Sequence, residues 1–157
     1  MDPTAVALLD GTWFAAEMSP SVRRSLSALA RIVDYDEGVA VVRPGAPASA
    51  LGVIADGRFA LRLAVPGVGQ RTIQTLEDGD IFGWSAVLGA SNATSLAVTV
   101  APTRAILFDR EPLQAAMAAD SELAAAVYRR VLGAVARRLQ ATRLQLLDLY
   151  RAGYEPW

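Results

Sequence analysis

Between Asp34 and Asp109 the chain is cut at short, regular intervals by turn residues. Pro44-Gly45, Asp56-Gly57, Pro66-Gly67 and Asp78-Gly79 separate the pieces "GVAVV", "ALGVIA", "RFALRLAV", "RTIQTL", "TSLAVTV" and "RAILFD". These pieces are rich in β-branched and apolar residues and too short for stable helices. Many short strands at such spacing predict a sandwich or barrel over about 34–109. Asp56-Gly57, set between two strand-like runs, reads as a hairpin turn.

The flanks have a different texture. "SPSVRRSLSALARIV" opens on Ser19, a good N-cap, followed by Pro20 at a favoured first helical position. Val22, Leu26 and Leu29 then recur at helical spacing, which predicts a short amphipathic helix. From Glu111 to Tyr150 the chain is rich in Ala and Leu, with no proline after Pro112, and two or three helices are expected. No low-complexity linker or internal repeat interrupts the chain. Residues 1–157 therefore read as one α+β domain, with C-terminal helices over about 110–152.

Composition removes several chemistries. There is no Cys and no His. Thiol nucleophiles, Cys-based zinc sites, iron–sulfur clusters, disulfides, His general bases and the usual haem ligand are thereby excluded. Glu77, Asp78 and Asp80 form an acidic cluster, but "LEDGDIFG" is better explained as a turn with an acidic edge; no catalytic residue and no metal site is expected. Net charge is −1, so the chain as a whole is no electrostatic footprint for nucleic acid. All 15 basic residues are Arg, a bias that a GC-rich genome accounts for. Met1–Phe14 does not read as a signal peptide, and no apolar run reaches the roughly 20 residues needed to span a bilayer. A cytoplasmic protein is expected on these grounds.

The last helix carries the clearest pattern. Leu132, Val135, Leu139, Thr142, Leu146 and Leu149 follow alternating three- and four-residue steps, the seam of one helix packing along another. Leu144, Leu147 and Tyr150 lie off that seam and make a second apolar face. One face can cover the barrel while the other meets a second copy about a two-fold axis, so a parallel homodimer is expected. Five Arg and no acid lie between Arg129 and Arg143. No helix-turn-helix pattern follows, and no sequence-specific DNA binding is expected of these residues. A protein partner is not identified by the sequence.

"TLEDGDIFGWSAVL", residues 75–88, combines a turn, a sharp glycine bend and the start of a helix. Gly83 lets an anion approach the backbone, and the N–H groups of Trp84, Ser85 and Ala86 would sit at a helix N-terminus. This cassette, the preceding glycine-punctuated strands (Gly38, Gly45, Gly57, Gly79, Gly83) and the long last helix resemble the cyclic-nucleotide-binding domain of the catabolite activator protein superfamily, over roughly residues 13–150. The resemblance implies an eight-stranded β-roll, a double-stranded jelly-roll-like barrel, with a short N-terminal helix and a long C-terminal dimerisation helix. "ARRLQATR", Ala136–Arg143, is similar to the family's central helix. There the position matching Thr142 faces the adenine at the dimer interface, and the position matching Arg138 lies close by. The chain also resembles a group of small bacterial members with Gly-Trp-Ser in the turn, a very similar "LQATRLQLLDLY" and no DNA-binding domain.

The family pattern places a Glu after the cassette glycine, for the ribose, and an Arg some ten residues on, for the cyclic phosphate. Here Trp84 stands in the Glu position. The Arg position falls at Ala93 or Thr94, and no Arg occurs between Arg71 and Arg104. Loss of a charged hydrogen bond costs about 1.5–3 kcal/mol, so micromolar binding would weaken roughly 10- to 100-fold. The ligand-binding candidates are Phe82, Gly83, Trp84, Ser85, Ala86, Asn92, Thr94, Ser95, Arg138 and Thr142. Three roles stand open for Trp84: filling the ribose-side space, a platform for another flat or apolar ligand, or a core residue turned away from the pocket. Correspondingly, the chain reads as a dimeric regulatory sensor domain for a cyclic nucleotide or other small ligand, with a degenerate cassette, or as a ligand-independent interaction module with a filled pocket.

Overall fold

The computed structural model describes residues 3–88 and 92–152. Two helices, α1 (Pro3–Asp10) and α2 (Pro20–Leu29), precede eight strands: β1 (Ala30–Tyr35), β2 (Ala40–Val42), β3 (Ala50–Asp56), β4 (Phe59–Val65), β5 (Gly69–Leu76), β6 (Ile81–Phe82), β7 (Leu96–Thr99) and β8 (Thr103–Asp109). Helices α3 (Arg110–Ala119) and α4 (Ser121–Ala152) follow. The strands form two four-stranded antiparallel sheets, in the orders β1-β8-β3-β6 and β2-β7-β4-β5. This is the eight-stranded β-roll that the glycine-punctuated pieces imply.

Period-two alternation sorts the side chains of the first sheet. Leu51, Val53, Ile106 and Phe108 point to one face, where they pack with Leu9, Phe14, Leu26, Leu113, Leu123 and Val127 from the helices. Ala50, Ile54, Ala105 and Leu107 point to the other, where Phe59, Leu61, Leu76, Phe82 and Ala97 fill the roll. Strands β3 and β8 are thus apolar on both faces, which is why they read as nearly continuous hydrophobic runs.

Two expectations are corrected. Asp56-Gly57 is not a hairpin: β3 and β4 lie in different sheets, and the dipeptide carries the chain across between them. Gly57 has φ +118°, and a Cβ there would lie 2.8 Å from the Pro102 carbonyl oxygen, so glycine is needed for the crossing itself. The hairpin is β4–β5, with Val65 opposite Gly69 and a Val68 N–H to Val65 carbonyl bond of 3.0 Å across Pro66-Gly67. Second, the roll begins at Ala30 and not at about residue 34. Residues 30–35 are β1, paired with β8, where the Arg31 fork grips the Asp109 carboxylate at 2.8–3.1 Å. The cap at Ser19 is as read, its hydroxyl accepting from the Val22 N–H. Helix α1 has no counterpart in the expected elements; its Ala5 and Leu9 are fully buried.

Helix α4 is 32 residues long and changes character along its length. Leu123, Val127, Val131 and Ala134, at helical spacing, are buried against the core. Beyond Val135 most of its side chains are exposed. Leu144, Leu147 and Tyr150 are exposed, so this second apolar face does not cover the barrel within one chain.

Candidate ligand pocket

Strand β6 delivers the cassette. The Phe82 ring lies directly over Gly52, where a Cβ would run into it, and its centroid is 4.7 Å from that of Phe59. Gly83 then bends the chain at φ +70° and ψ +27°. A Cβ on Gly83 would collide with the Ala50 carbonyl oxygen and meet the Ala48 Cβ at 3.2 Å. The close packing of cassette and β3 therefore accounts for this glycine without any ligand.

The expected helix start is one 3-10 turn, Trp84–Ala86. The Ala86 N–H is taken up by the Gly83 carbonyl at 3.0 Å, and the Ala86 carbonyl accepts from Gln114 Nε2 at 2.8 Å. Ala86 is fully buried and does not line the pocket. Ser85 does line it, but its hydroxyl oxygen accepts from the Ala48 N–H at 2.8 Å and so fastens the turn to the roll.

A cavity of about 50 Å³ opens above this turn. Its apolar walls are Val42, Leu61, Phe82 and Ala97; Ala93, Thr94 and Ser95 run along another side. Ala93 is held in place by bonds to Gly45 and Ala46 of 3.0 and 2.9 Å. Trp84 lines the cavity, is half-buried, and also packs against the helix-side core, so its two sides serve both. Of the ten sequence candidates, Phe82, Gly83, Trp84, Ser85, Thr94, Ser95 and Arg138 are brought together here. Ala86, Asn92 and Thr142 are not. Asn92 is exposed, and the exposed Thr142 donates its hydroxyl to the Arg138 carbonyl at 3.0 Å.

Arg138 enters from α4. Its guanidinium carbon sits 4.2 Å from the Trp84 ring centroid, and one terminal nitrogen donates to the Ile81 carbonyl. Burial pulls its pKa below the ordinary value, to about 10; Asp80 opposes this and neighbouring Arg137 adds to it. It stays a cation at neutral pH. Among the described residues no carboxylate lies at ion-pair distance from it. Arg137 turns the other way, with its guanidinium carbon 4.3 Å from the Trp13 centroid. About two turns further along α4, Gln145 donates to the Ile73 carbonyl of β5 at 3.1 Å. Sequence reasoning missed Val42, Leu61 and Ala97; strand alternation in β2, β4 and β7 is the signal that points to them.

The acidic cluster is built as a turn. The Gly57 N–H donates to Asp78 Oδ1 and the Glu77 N–H to Asp80 Oδ2, each at 2.9 Å. Among the described residues no group of acidic side chains could hold a metal ion, and no helix is long and apolar enough to cross a membrane.

A β-roll closed by helices, with a pocket between a glycine-bent cassette and a long C-terminal helix, is the architecture of cyclic-nucleotide receptors. The chain belongs to the cyclic nucleotide-binding domain family, whose model matches residues 32–120. It is similar to a CRP-like cAMP-activated global transcriptional regulator of Mycobacterium tuberculosis, 27% identical over 132 residues that make up 84% of this chain and 57% of that protein. The chain thus spans little more than half the length of this curated relative. Among solved structures, a cyclic nucleotide-binding domain from Methylobacillus flagellatus KT superimposes with a TM-score of 0.77 at 19% identity, covering 92% of this chain and 81% of that one. The catabolite activator protein of Thermus thermophilus does so with a TM-score of 0.68 at 23% identity, covering 87% and 62%. At these identities the structural matches speak for the fold.

Proposed function

We propose that this chain is a regulatory sensor domain whose pocket has a degenerate cassette, binds cyclic AMP weakly, and reports through a dimer of α4. The observation that carries this reading is the content of the pocket. By the family resemblance Trp84 stands in the ribose-side Glu position and Ala93 or Thr94 in the phosphate-Arg position; all three line the cavity, whose charged lining residue, Arg138, comes from the helix. Ligand pockets usually hold about 300–1,000 Å³; the 50 Å³ left here supports altered specificity over full occupancy by a nucleotide.

Dimerisation is supported by Leu132, Leu139, Leu146 and Leu149, which are 50–70% exposed along the predicted seam of α4. Helix faces of this apolarity are ordinarily covered by a partner. The near-neutral charge and the lack of a recognition-helix pattern in these residues support a role without sequence-specific DNA contact. The chemistry of the pocket gives no support to catalysis.

The Arg138–Trp84 stack also favours a second reading, a ligand-independent interaction module whose pocket is filled by its own side chains. Calorimetry of the purified protein against cyclic AMP, cyclic GMP and cyclic di-GMP tests both. Tight binding of cyclic AMP contradicts the degenerate cassette, and silence toward all small molecules favours the filled module.

A further inference from the structure

The charged wall of the pocket belongs to the helix and not to the barrel. Arg138 is drawn largely out of water, yet its partners are a ring face and a backbone carbonyl. Each supplies only a partial negative charge; Asp80 attracts the guanidinium from beyond ion-pair distance and Arg137 beside it repels. Among the described residues no carboxylate pairs with it directly, and an anion in the cavity would. A guanidinium offers a planar fork that a carboxylate matches with two parallel bonds. Val42, Leu61, Phe82 and Ala97 give the cavity an apolar wall, and the hydroxyl side chains in its lining are those of Ser85, Thr94 and Ser95. The cavity of about 50 Å³ exceeds the roughly 10–15 Å³ that one water needs but suits only a compact molecule.

We propose that the pocket takes a short-chain monocarboxylate, its carboxylate paired with Arg138 and its hydrocarbon end on the apolar wall. The inference rests on the reading above that this cavity is a ligand pocket of altered specificity. Arg138 ties α4 to β6 through the Ile81 carbonyl, so occupancy bears on the helix that carries the exposed leucine seam.

The test is a titration of the full chain with sodium butyrate at constant ionic strength, followed by NMR on the Trp84 indole N–H, assigned with W84F. Butyramide, the neutral counterpart, is titrated in parallel. Saturable shifts with butyrate and none with butyramide are expected. R138Q, checked for folding by its melting curve, should weaken butyrate roughly tenfold or more. Equal responses to the acid and the amide, no saturation, or an R138Q affinity equal to wild type overturns the inference. The amide comparison holds even if R138Q does not fold. Cyclic AMP in the same assay separates the two levels. Weak cyclic AMP binding with no butyrate binding leaves the sensor reading standing and removes the carboxylate. Low-micromolar cyclic AMP binding removes both.

Discussion

Replacing Gly83 by Ala should destabilise the protein more than any turn argument alone predicts. Gly83 has φ +70°, a conformation that costs a residue with a Cβ about 1–2 kcal/mol. The added Cβ also collides with the Ala50 carbonyl oxygen of β3 and crowds the Ala48 Cβ at 3.2 Å. Backbone cannot swing aside as a side chain can, and overpacking of this kind costs about 1–3 kcal/mol. The sum is roughly 2–5 kcal/mol. Gly67 provides the control. Its φ is +74°, but nothing lies within 4 Å of a Cβ built there, so Gly67→Ala carries the conformational cost alone, about 1–2 kcal/mol. Both changes stiffen the unfolded chain equally, and that effect cancels in the comparison. Urea unfolding of the two variants at one protein concentration should place G83A about 1–3 kcal/mol below G67A. Equal stabilities would refute the reasoning. They would mean that the glycine is kept for a ligand's approach and not for the packing of cassette on β3.

Three further outcomes follow from particular contacts. Leu139→Arg places a charge in the apolar seam of α4, which costs several kcal/mol if buried unpaired; sedimentation should show wild-type dimer and variant monomer at micromolar concentration, and a monomeric wild type would contradict the dimer. Ser19→Ala removes the hydroxyl that accepts from the Val22 N–H and bonds Glu122 at 2.6 Å, and should lower unfolding stability by about 1 kcal/mol. The Arg31 fork holds Asp109 below the usual carboxylate range; the contribution of such a depressed acid is complete above its unfolded value of about 3.9 and is lost as pH falls through the lower folded value. The pair is about half exposed, so the effect is at most about 1 kcal/mol, and the stability gap between wild type and D109N, measured by denaturant unfolding from pH 6 to 2, should close at the acid end.

Local signals in the sequence were legible where the cause is local. Ser19-Pro20 caps and starts a helix within three residues, and the cap appears as read. The alternating and continuous apolar runs of β3, β4 and β8 depend on which face each side chain meets, and a sheet buried on both sides leaves that trace. Misreadings arose where the deciding partner is distant in sequence. Ala30–Val33 fell outside the expected β region because its strand partner β8 lies more than 70 residues on. Asp56-Gly57 has hairpin chemistry, yet the packing of Pro102 and Thr103 against it sets the crossing between sheets. Strand β6 has two residues, too few to show alternation. At the site, the substitution of Trp84 for an acid was visible, but its position could not be. That depends on Arg138, 54 positions away, laying its guanidinium over the ring.

The most direct test of the central claim is a calorimetric titration of wild-type protein with cyclic AMP, beside a variant that restores the cassette. Trp84→Glu with Ala93→Arg, or with Thr94→Arg, returns the ribose acceptor and the phosphate cation to positions that line the cavity. Wild type should bind roughly 10- to 100-fold more weakly than a micromolar site, or give no heat, and a restored variant should recover at least about tenfold. Low-micromolar or tighter binding by the unmodified chain would contradict the account.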